Sequence, residues 1–171
     1  MEILDGKKLS EQIKEEIKQA VILRKENQKK IPHLAAVIVG NDGASLTYVG
    51  SKVRSCEQVG FKSTLIRLES NITEEALLSK IRALNNDDTL DGYIVQLPLP
   101  QHINEEKILL AVDPKKDVDG FHPSNFGRMA LEMDSFIPAT PFGIMEMLRR
   151  YKIDVSEIGR ASCRERVSTS V

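Results

Sequence analysis

Apolar residues near the start of the chain recur at helical spacing. Leu9, Ile13, Ile17 and Val21 are separated by lysine, glutamate and glutamine, which predicts an amphipathic helix. Residues 34–39 then form a continuous apolar run that ends at a glycine, a pattern typical of a strand buried on both faces of a parallel sheet. The chain is therefore expected to begin with a helix that leads into a central strand.

The rest of the chain alternates between helical and strand patterns. Gly60 is the residue type favoured just after a helix end, and Thr73, followed by two glutamates, is typical of a helix start. The further helices are predicted at 44–59, 73–84, 105–112, 124–131 and 142–151, and the further strands at 62–68 and 92–97.

This order of elements predicts an α/β fold. Helices that alternate with strands favour right-handed crossovers and a mostly parallel sheet between two helical layers, a three-layer αβα arrangement. Ligands of such sheets bind beyond the carboxyl ends of the strands. Segments 40–43, 96–98 and, less clearly, 117–120 lie at such ends, so we expect the site among them.

Composition excludes several classes of function. The chain has 171 residues and a formal net charge of −1, which gives no indication of a nucleic-acid partner. No apolar run approaches the roughly 20 residues of a membrane span, and the start of the chain lacks a signal-peptide pattern. Two cysteines, Cys56 and Cys163, form no disulfide or metal framework, and the three histidines lack metal-ligand spacing. We expect a cytoplasmic protein without a metal site.

One face of the predicted helix 44–59 carries candidate chemistry. Tyr48, Lys52 and Cys56 are four residues apart and lie along the same face. A lysine close to a strand end can act as a general acid or base. The alternative is a surface lysine whose stem packs over Tyr48, and for Lys52 taken alone this alternative is favoured.

Polar residues at two later loops are further candidates. Gln96 can both donate and accept hydrogen bonds, either to hold a reacting group or only to bond a neighbouring loop. Asp117 and Asp119 face opposite sides of an extended segment, which argues against an acid–base dyad. One carboxylate can still accept two N–H bonds from an aminopyrimidine, although a turn capped by aspartate and glycine is the alternative. Asp42, with Asn41 and Gly43, could form a loop that binds a metal or a phosphate, but a turn and a helix N-cap are the favoured interpretation.

Taken together and in this order, four segments resemble the signatures of the methylenetetrahydrofolate dehydrogenase/cyclohydrolase family. They are 39–52, 92–100, 114–120 and 138–143, within a resemblance that extends over residues 1–156. The family commonly has proline where this chain has Gly43. The resemblance implies the aminoacid-dehydrogenase-like N-terminal domain of that family.

The resemblance also implies a division of the chain. Residues 1–120 would form the folate-binding catalytic domain, and residues 121–157 would be helices that connect to an NADP-binding Rossmann domain absent from this sequence. No strand is followed by the glycine-rich dinucleotide fingerprint, so no NADP-binding residues are assigned here. Residues 158–171 lack periodicity, and 158–167 resemble a translated sequencing adapter, which predicts a non-native tail.

The reactions implied by the resemblance are oxidation of 5,10-methylenetetrahydrofolate by NADP and hydrolysis of the methenyl product to 10-formyltetrahydrofolate. Lys52 would transfer protons during hydrolysis, Gln96 would orient it, Tyr48 would stack on the folate rings, and Asp119 would bind the pterin edge. Tetrahydrofolate derivatives and a second copy of the chain are the implied partners. The implied site residues are Tyr48, Lys52, Gln96, Leu97, Pro98 and Asp119.

Two other functions remain open at this stage. The chain alone is not expected to catalyse hydride transfer, and it could serve as a folate-binding or dimerising module without activity. A Schiff-base enzyme would need only Lys52 in an apolar pocket.

Overall fold

The computed structural model describes residues 3–155, in which helices and strands alternate up to the third strand. The elements in chain order are α1 (Gly6–Glu26), β1 (His33–Val39), α2 (Gly43–Val59), β2 (Lys62–Leu68), α3 (Glu74–Asn85), β3 (Gly92–Val95), α4 (Glu105–Ala111), α5 (Pro123–Ala130) and α6 (Ala139–Arg150).

The three strands form one parallel sheet in the order β2-β1-β3. Val37 in the middle of β1 is paired with Ile66 of β2 on one side and with Val95 of β3 on the other. The central position of β1 explains its continuous apolar sequence, because both faces of the strand are covered. An isolated parallel bridge from Tyr93 to Asp117 extends the edge beyond β3.

Helices cover both faces of the sheet and confirm the three-layer prediction. On one face, Val37 and Tyr93 pack with Leu77, Ile81 and Ile108 from α3 and α4 in the larger apolar cluster. On the other face, a smaller cluster places Val49 of α2 against the sheet residues Ala36, Ile38 and Ile94. Helix α1 packs mainly on α2.

The predicted helix termini are those of the structure to within a few residues. The Asp42 carboxylate accepts a hydrogen bond from the Ser45 amide at 2.7 Å and so caps α2. Gly60 ends that helix with a φ of 82°, a left-handed conformation that favours glycine. Thr73 caps α3 by accepting from the Ala76 amide. The strand predicted at 92–97 ends earlier, at Val95, although the backbone N–H of Gln96 still donates a hydrogen bond to the Val37 carbonyl.

The last two helices begin earlier than predicted. Pro123 is at the start of α5, where proline is tolerated because the first amides of a helix have no internal partner. Helix α6 begins at Ala139, directly after Pro138, and includes Pro141 in its first turn. None of the α6 side chains is buried, so its sequence periodicity alone could not define where it begins.

No helix within residues 3–155 is both long and apolar enough to span a membrane. The tail predicted at 158–171 lies outside the described residues, as does Cys163. The division of the chain at residue 120 remains a prediction.

Candidate active site

Helix α2 presents Tyr48 and Lys52 one turn apart. The Lys52 Nζ atom lies 4.7 Å from the centre of the Tyr48 ring, within the range of a cation–π contact. Tyr48 is 55% exposed, which leaves much of its ring available to a planar ligand. Lys52 therefore packs over Tyr48, as expected if it were only a surface lysine. It also lines an open cavity.

A carboxylate from the loop between α4 and α5 lies beside that lysine. Lys52 Nζ and Asp119 Oδ1 are 3.7 Å apart, with both side chains about one-quarter to one-third exposed. Burial raises the pKa of Asp119 above its ordinary value, while the Lys52 ammonium acts in the opposite direction. The two groups together form a charged pair in a partly dry environment.

Asp117 is directed away from this pair. Its Oδ2 accepts hydrogen bonds from the His122 amide at 2.8 Å and from the Asn125 side chain at 2.9 Å. Both Asp117 and Asn125 are buried. The two aspartates thus have different surroundings, in line with the prediction that they form no acid–base dyad.

Gln96 follows the last residue of β3 and reaches the same cavity. Its side-chain nitrogen donates to the carbonyl of Leu97 at 2.7 Å, so the amide is bonded to its own loop. This is the structural alternative that the sequence left open for Gln96. Leu97 also lines the cavity, whereas the exposed Pro98, joined to Leu97 by a cis peptide bond, is not among the lining residues.

The cavity that brings these groups together has a volume of about 230 Å³. It includes five of the six site residues predicted from the sequence, together with a wall that was not assigned to the site. Phe121 follows Gly120 directly, and segment 138–141 belongs to the fourth family-like motif, so both had a sequence signal. The lining residues are Tyr48, Lys52, Val95, Gln96, Leu97, Asp119, Phe121, Pro138, Ala139, Thr140 and Pro141.

A close backbone approach positions that wall. Gly120 has a φ of 70°, and a Cβ atom added there would lie 2.7 Å from the carbonyl oxygen of Phe136 and 2.9 Å from the backbone nitrogen of Pro138. Only glycine combines this conformation with this contact. The loop that carries Asp119 and the start of α6 are therefore packed backbone to backbone.

A second groove adjoins the site cavity on the α2 side of the sheet. It has a volume of about 450 Å³ and shares Tyr48, Lys52 and Asp119 with the site cavity. Cys56, the third residue of the predicted helix face, lines this groove, and burial raises the pKa of its thiol. The Lys52–Asp119 pair thus lies between two concave surfaces.

The strand ends within residues 3–155 do not fit a dinucleotide phosphate. The start of α2 is already capped by the Asp42 carboxylate, and α3 and α4 each begin with two glutamates after a side-chain cap. Negative side chains at these positions disfavour a phosphate, which binds where helix amides are free.

Comparison of the chain with known proteins identifies its family. Residues 4–119 match the sequence model described as tetrahydrofolate dehydrogenase/cyclohydrolase, catalytic domain. The chain belongs to this family. The matched range includes Tyr48, Lys52, Gln96 and Asp119, and it ends before Phe121 and the wall at 138–141.

Individual relatives agree with the family match. The chain is 69% identical over 156 residues to the bifunctional protein FolD of Flavobacterium johnsoniae, an alignment that covers 91% of this chain and 53% of that protein. The crystal structure of the FolD dehydrogenase/cyclohydrolase from Campylobacter jejuni is similar with a TM-score of 0.87 and 46% identity, over 91% of this chain and 55% of that one.

A third relative was solved with ligands. The Trypanosoma brucei N5,N10-methylenetetrahydrofolate dehydrogenase-cyclohydrolase, complexed with NADP cofactor and inhibitor, matches with a TM-score of 0.82 and 31% identity, over 88% of this chain and 52% of that one. The chain spans about half the length of the relatives that it matches.

Proposed function

We propose that this chain is the folate-binding, catalytic half of a bifunctional methylenetetrahydrofolate dehydrogenase/cyclohydrolase. The observation that carries the proposal is the Lys52–Asp119 pair, 3.7 Å apart, in a cavity that also contains Tyr48 and Gln96. An amine, a carboxylate, an amide and an aromatic face are the groups that a charged, planar, nitrogen-rich substrate requires.

Substrate recognition follows from these groups. The exposed ring of Tyr48 offers a stacking surface to the planar rings of the folate. The Asp119 carboxylate can accept two N–H bonds from the aminopyrimidine edge of the pterin, which would replace part of its attraction to Lys52. Gln96 lies on the β3 side of the cavity and can exchange its bond to Leu97 for one to Lys52 or the substrate.

Lys52 supplies proton transfer in the hydrolytic step. Water adds to the methenyl carbon and releases one proton to solvent. The Lys52 ammonium then donates a proton to N5 as the bond from this carbon to N5 breaks. The resulting amine takes up the proton of the remaining hydroxyl, which becomes the formyl carbonyl. The formyl group is left on N10, and no oxidant or reductant is consumed. General acid–base catalysis by one positioned group contributes typically about 100- to 10,000-fold in rate.

The dehydrogenase step depends on NADP, which supplies the hydride acceptor. The Trypanosoma brucei relative is described with that cofactor, and we propose the same cofactor for the whole protein to which this chain corresponds. Because the strand ends of the described residues do not fit a dinucleotide phosphate, no hydride-transfer step is assigned to the side chains of this chain.

The hydrolytic role is tested by supplying 5,10-methenyltetrahydrofolate to the 171-residue chain and following the loss of its absorbance. We expect wild type to exceed the buffer rate and Lys52→Met to lose at least about 100-fold of the excess rate. Lys80→Met is the matched control, because Lys80 is exposed on α3 and does not line the cavity.

The alternatives predict different results. A folate-binding or dimerising module would show no rate above buffer, and titration with 5-formyltetrahydrofolate then separates binding from its absence. A Schiff-base lysine enzyme would be trapped by borohydride in the presence of a carbonyl substrate. Equal rates for Lys52→Met and wild type would contradict the role of Lys52.

We further propose a homodimer that acts in the cytoplasm, in the one-carbon metabolism that serves purine biosynthesis. The dimer is supported by the large apolar side chains that α5, α6 and their connection leave exposed, including Phe126, Leu131 and Met145. Sedimentation equilibrium of the chain checks this, and a concentration-independent monomer mass would contradict it.

A further inference from the structure

The wall of the site cavity at residues 138–141 lies at the start of α6, a helix in which no apolar residue is fully buried. No residue of α6 is buried, and its first turn carries Ala139, Thr140 and Pro141 into the cavity. Half-buried side chains such as Met147 supply limited apolar contact, so polar contacts contribute to holding this helix against the rest of the described chain.

An ionic network holds the far end of the helix. The Arg150 guanidinium donates from both terminal nitrogens to the two carboxylate oxygens of Glu16 on α1, each at 2.6 Å. Its remaining nitrogen donates to Glu146, one turn earlier on α6. Next to it, the Tyr151 hydroxyl accepts a hydrogen bond from the Asp5 amide at 3.0 Å. The contacts to Glu16 and Asp5 join parts of the chain more than 130 residues apart.

The near end of the helix is held by a close backbone contact between Gly120 and residues 136–138. Pro138 abuts the backbone of Gly120, which adjoins Asp119. A 12-residue helix is about 18 Å long, so a small tilt at its far end displaces the near end relative to Lys52 and Asp119. The contact between α1 and α6 is thus placed to set the width of the cavity.

We propose that Arg150 and Glu16 are positioning residues that set the wall at 138–141 and thereby the affinity of the site, without touching the substrate. The inference rests on the proposed function, because it assumes that a folate binds in this cavity. A single exposed ion pair stabilises little, but a two-pronged arginine–carboxylate contact within a network is the geometry in which such a pair does contribute. Here it acts on a helix in which no apolar residue is fully buried.

The chain provides a matched control for the charge. Arg149 is 69% exposed and binds the same Glu146, and within residues 3–155 it forms no salt bridge to α1, although its charge acts on Glu16 at longer range. Arg149→Gln therefore removes one positive charge from the same helix and leaves the link to Glu16 intact. Arg150→Gln removes the link itself, and Arg150→Lys keeps the charge but not the two-pronged geometry.

The experiment is calorimetric titration of 5-formyltetrahydrofolate into the 171-residue chain and its variants, well below their melting temperatures. We expect Arg150→Gln and Glu16→Gln each to weaken binding about fivefold, and the double variant also about fivefold rather than about 25-fold, because both remove one coupling. Arg150→Lys is expected to lie between wild type and Arg150→Gln, and Arg149→Gln to match wild type.

Circular dichroism melting separates positioning from a purely structural role. A structural role alone would lower the melting temperature of Arg150→Gln and leave the Kd unchanged, which would overturn the inference. Equal Kd values for Arg150→Gln and Arg149→Gln would overturn it and leave the proposed function standing. If wild type binds no 5-formyltetrahydrofolate, both the proposed function and this inference are contradicted.

Discussion

Two regions of this protein are held together by different forces. In the sheet region, residues 33–112, the strands and the helices α3 and α4 share an apolar cluster in which Leu77, Ile81 and Ile108 are completely buried. In the α5–α6 region, residues 121–153, the described structure has no buried apolar residue, and Asn125 is its buried polar one. The candidate site lies where the two regions meet.

Because of this difference, one side of the candidate site is expected to be rigid and the opposite wall to be adjustable. The residues proposed to act on the substrate, Lys52 and Gln96, are on or next to elements that the apolar clusters hold in place. The opposite wall, at 138–141, is attached by a glycine contact and by charged or hydrogen-bonded groups. A site of this kind keeps its reactive groups fixed and leaves its width sensitive to small energetic changes.

The largest expected effect comes from opening the core of the sheet region. Leu77→Ala removes a fully buried side chain and should lower the free energy of unfolding by about 3 kcal/mol, measured by urea denaturation. Leu131→Ala makes the same chemical change at a residue 72% exposed in the other region, and should change stability by less than about 0.5 kcal/mol. Similar losses in both variants would contradict the contrast between the regions.

A smaller effect is expected where the regions meet. Gly120→Ala puts a side chain at a φ of 70° and against the backbone of residues 136–138, and should cost about 2 kcal/mol in unfolding free energy. It should also weaken the binding of 5-formyltetrahydrofolate.

Gly127→Ala is the control for Gly120→Ala, since Gly127 is in α5 and an added Cβ would meet no atom within 4 Å beyond the local backbone of its own helix. It should stabilise the chain by about 0.8 kcal/mol through helix propensity. A Gly120→Ala chain as stable as wild type would show that the backbone contact is not tight.

The polar attachment of α5 is the next test. Asn125→Ala removes the donor to the Pro114 carbonyl and to Asp117, both at 2.9 Å, and should cost about 1.5 kcal/mol because buried acceptors lose a partner. Ser124→Ala, at the exposed neighbouring position, should remain near wild type in the same urea titration. Equal stability of the two variants would mean that α5 is held by other contacts.

The smallest effect is a pH dependence of the α6 attachment. Hydrogen bonds from Arg149 and Arg150 lower the pKa of Glu146 from 4.5 to about 2. A carboxyl whose pKa is lower in the folded chain stabilises the fold above pH 4.5, and this contribution is lost as the pH falls from 4.5 towards 2. The melting temperature of Glu146→Gln should therefore fall less than that of wild type over this range. Parallel curves would contradict a charged Glu146 network.

Most of the fold was predictable because its signals are local. The run 34–39 is apolar without interruption because β1 is the central strand, and Gly60 and Thr73 mark helix ends through their own backbone and side-chain chemistry. The strand end at Val95 and the early start of α6 were missed by a few residues. In both places prolines and turns obscure the periodicity that defines an element.

The candidate site was predictable only in part. The spacing of Tyr48 and Lys52 places them on one helix face. Gln96 and Asp119 were candidates at later loops, and the family resemblance assigned their roles. The distance from Lys52 to Asp119, the bond from Gln96 to its own loop, and the wall at 138–141 depend on chain segments far apart in sequence. No local pattern contains these relations.

The sequence by itself determined the alternation of helices and strands, the helix caps and the family, since these depend on residue type and on spacing within one element. Only the tertiary structure decided which aspartate faces Lys52 and that Arg150 reaches Glu16 across 134 residues. Asp117 and Asp119 are two residues apart and chemically identical, and their surroundings differ because one is covered by α5 and the other borders a cavity. The electrostatic surroundings of a side chain and its long-range contacts depend on packing, because they arise only when segments distant in sequence come within a few ångströms of each other.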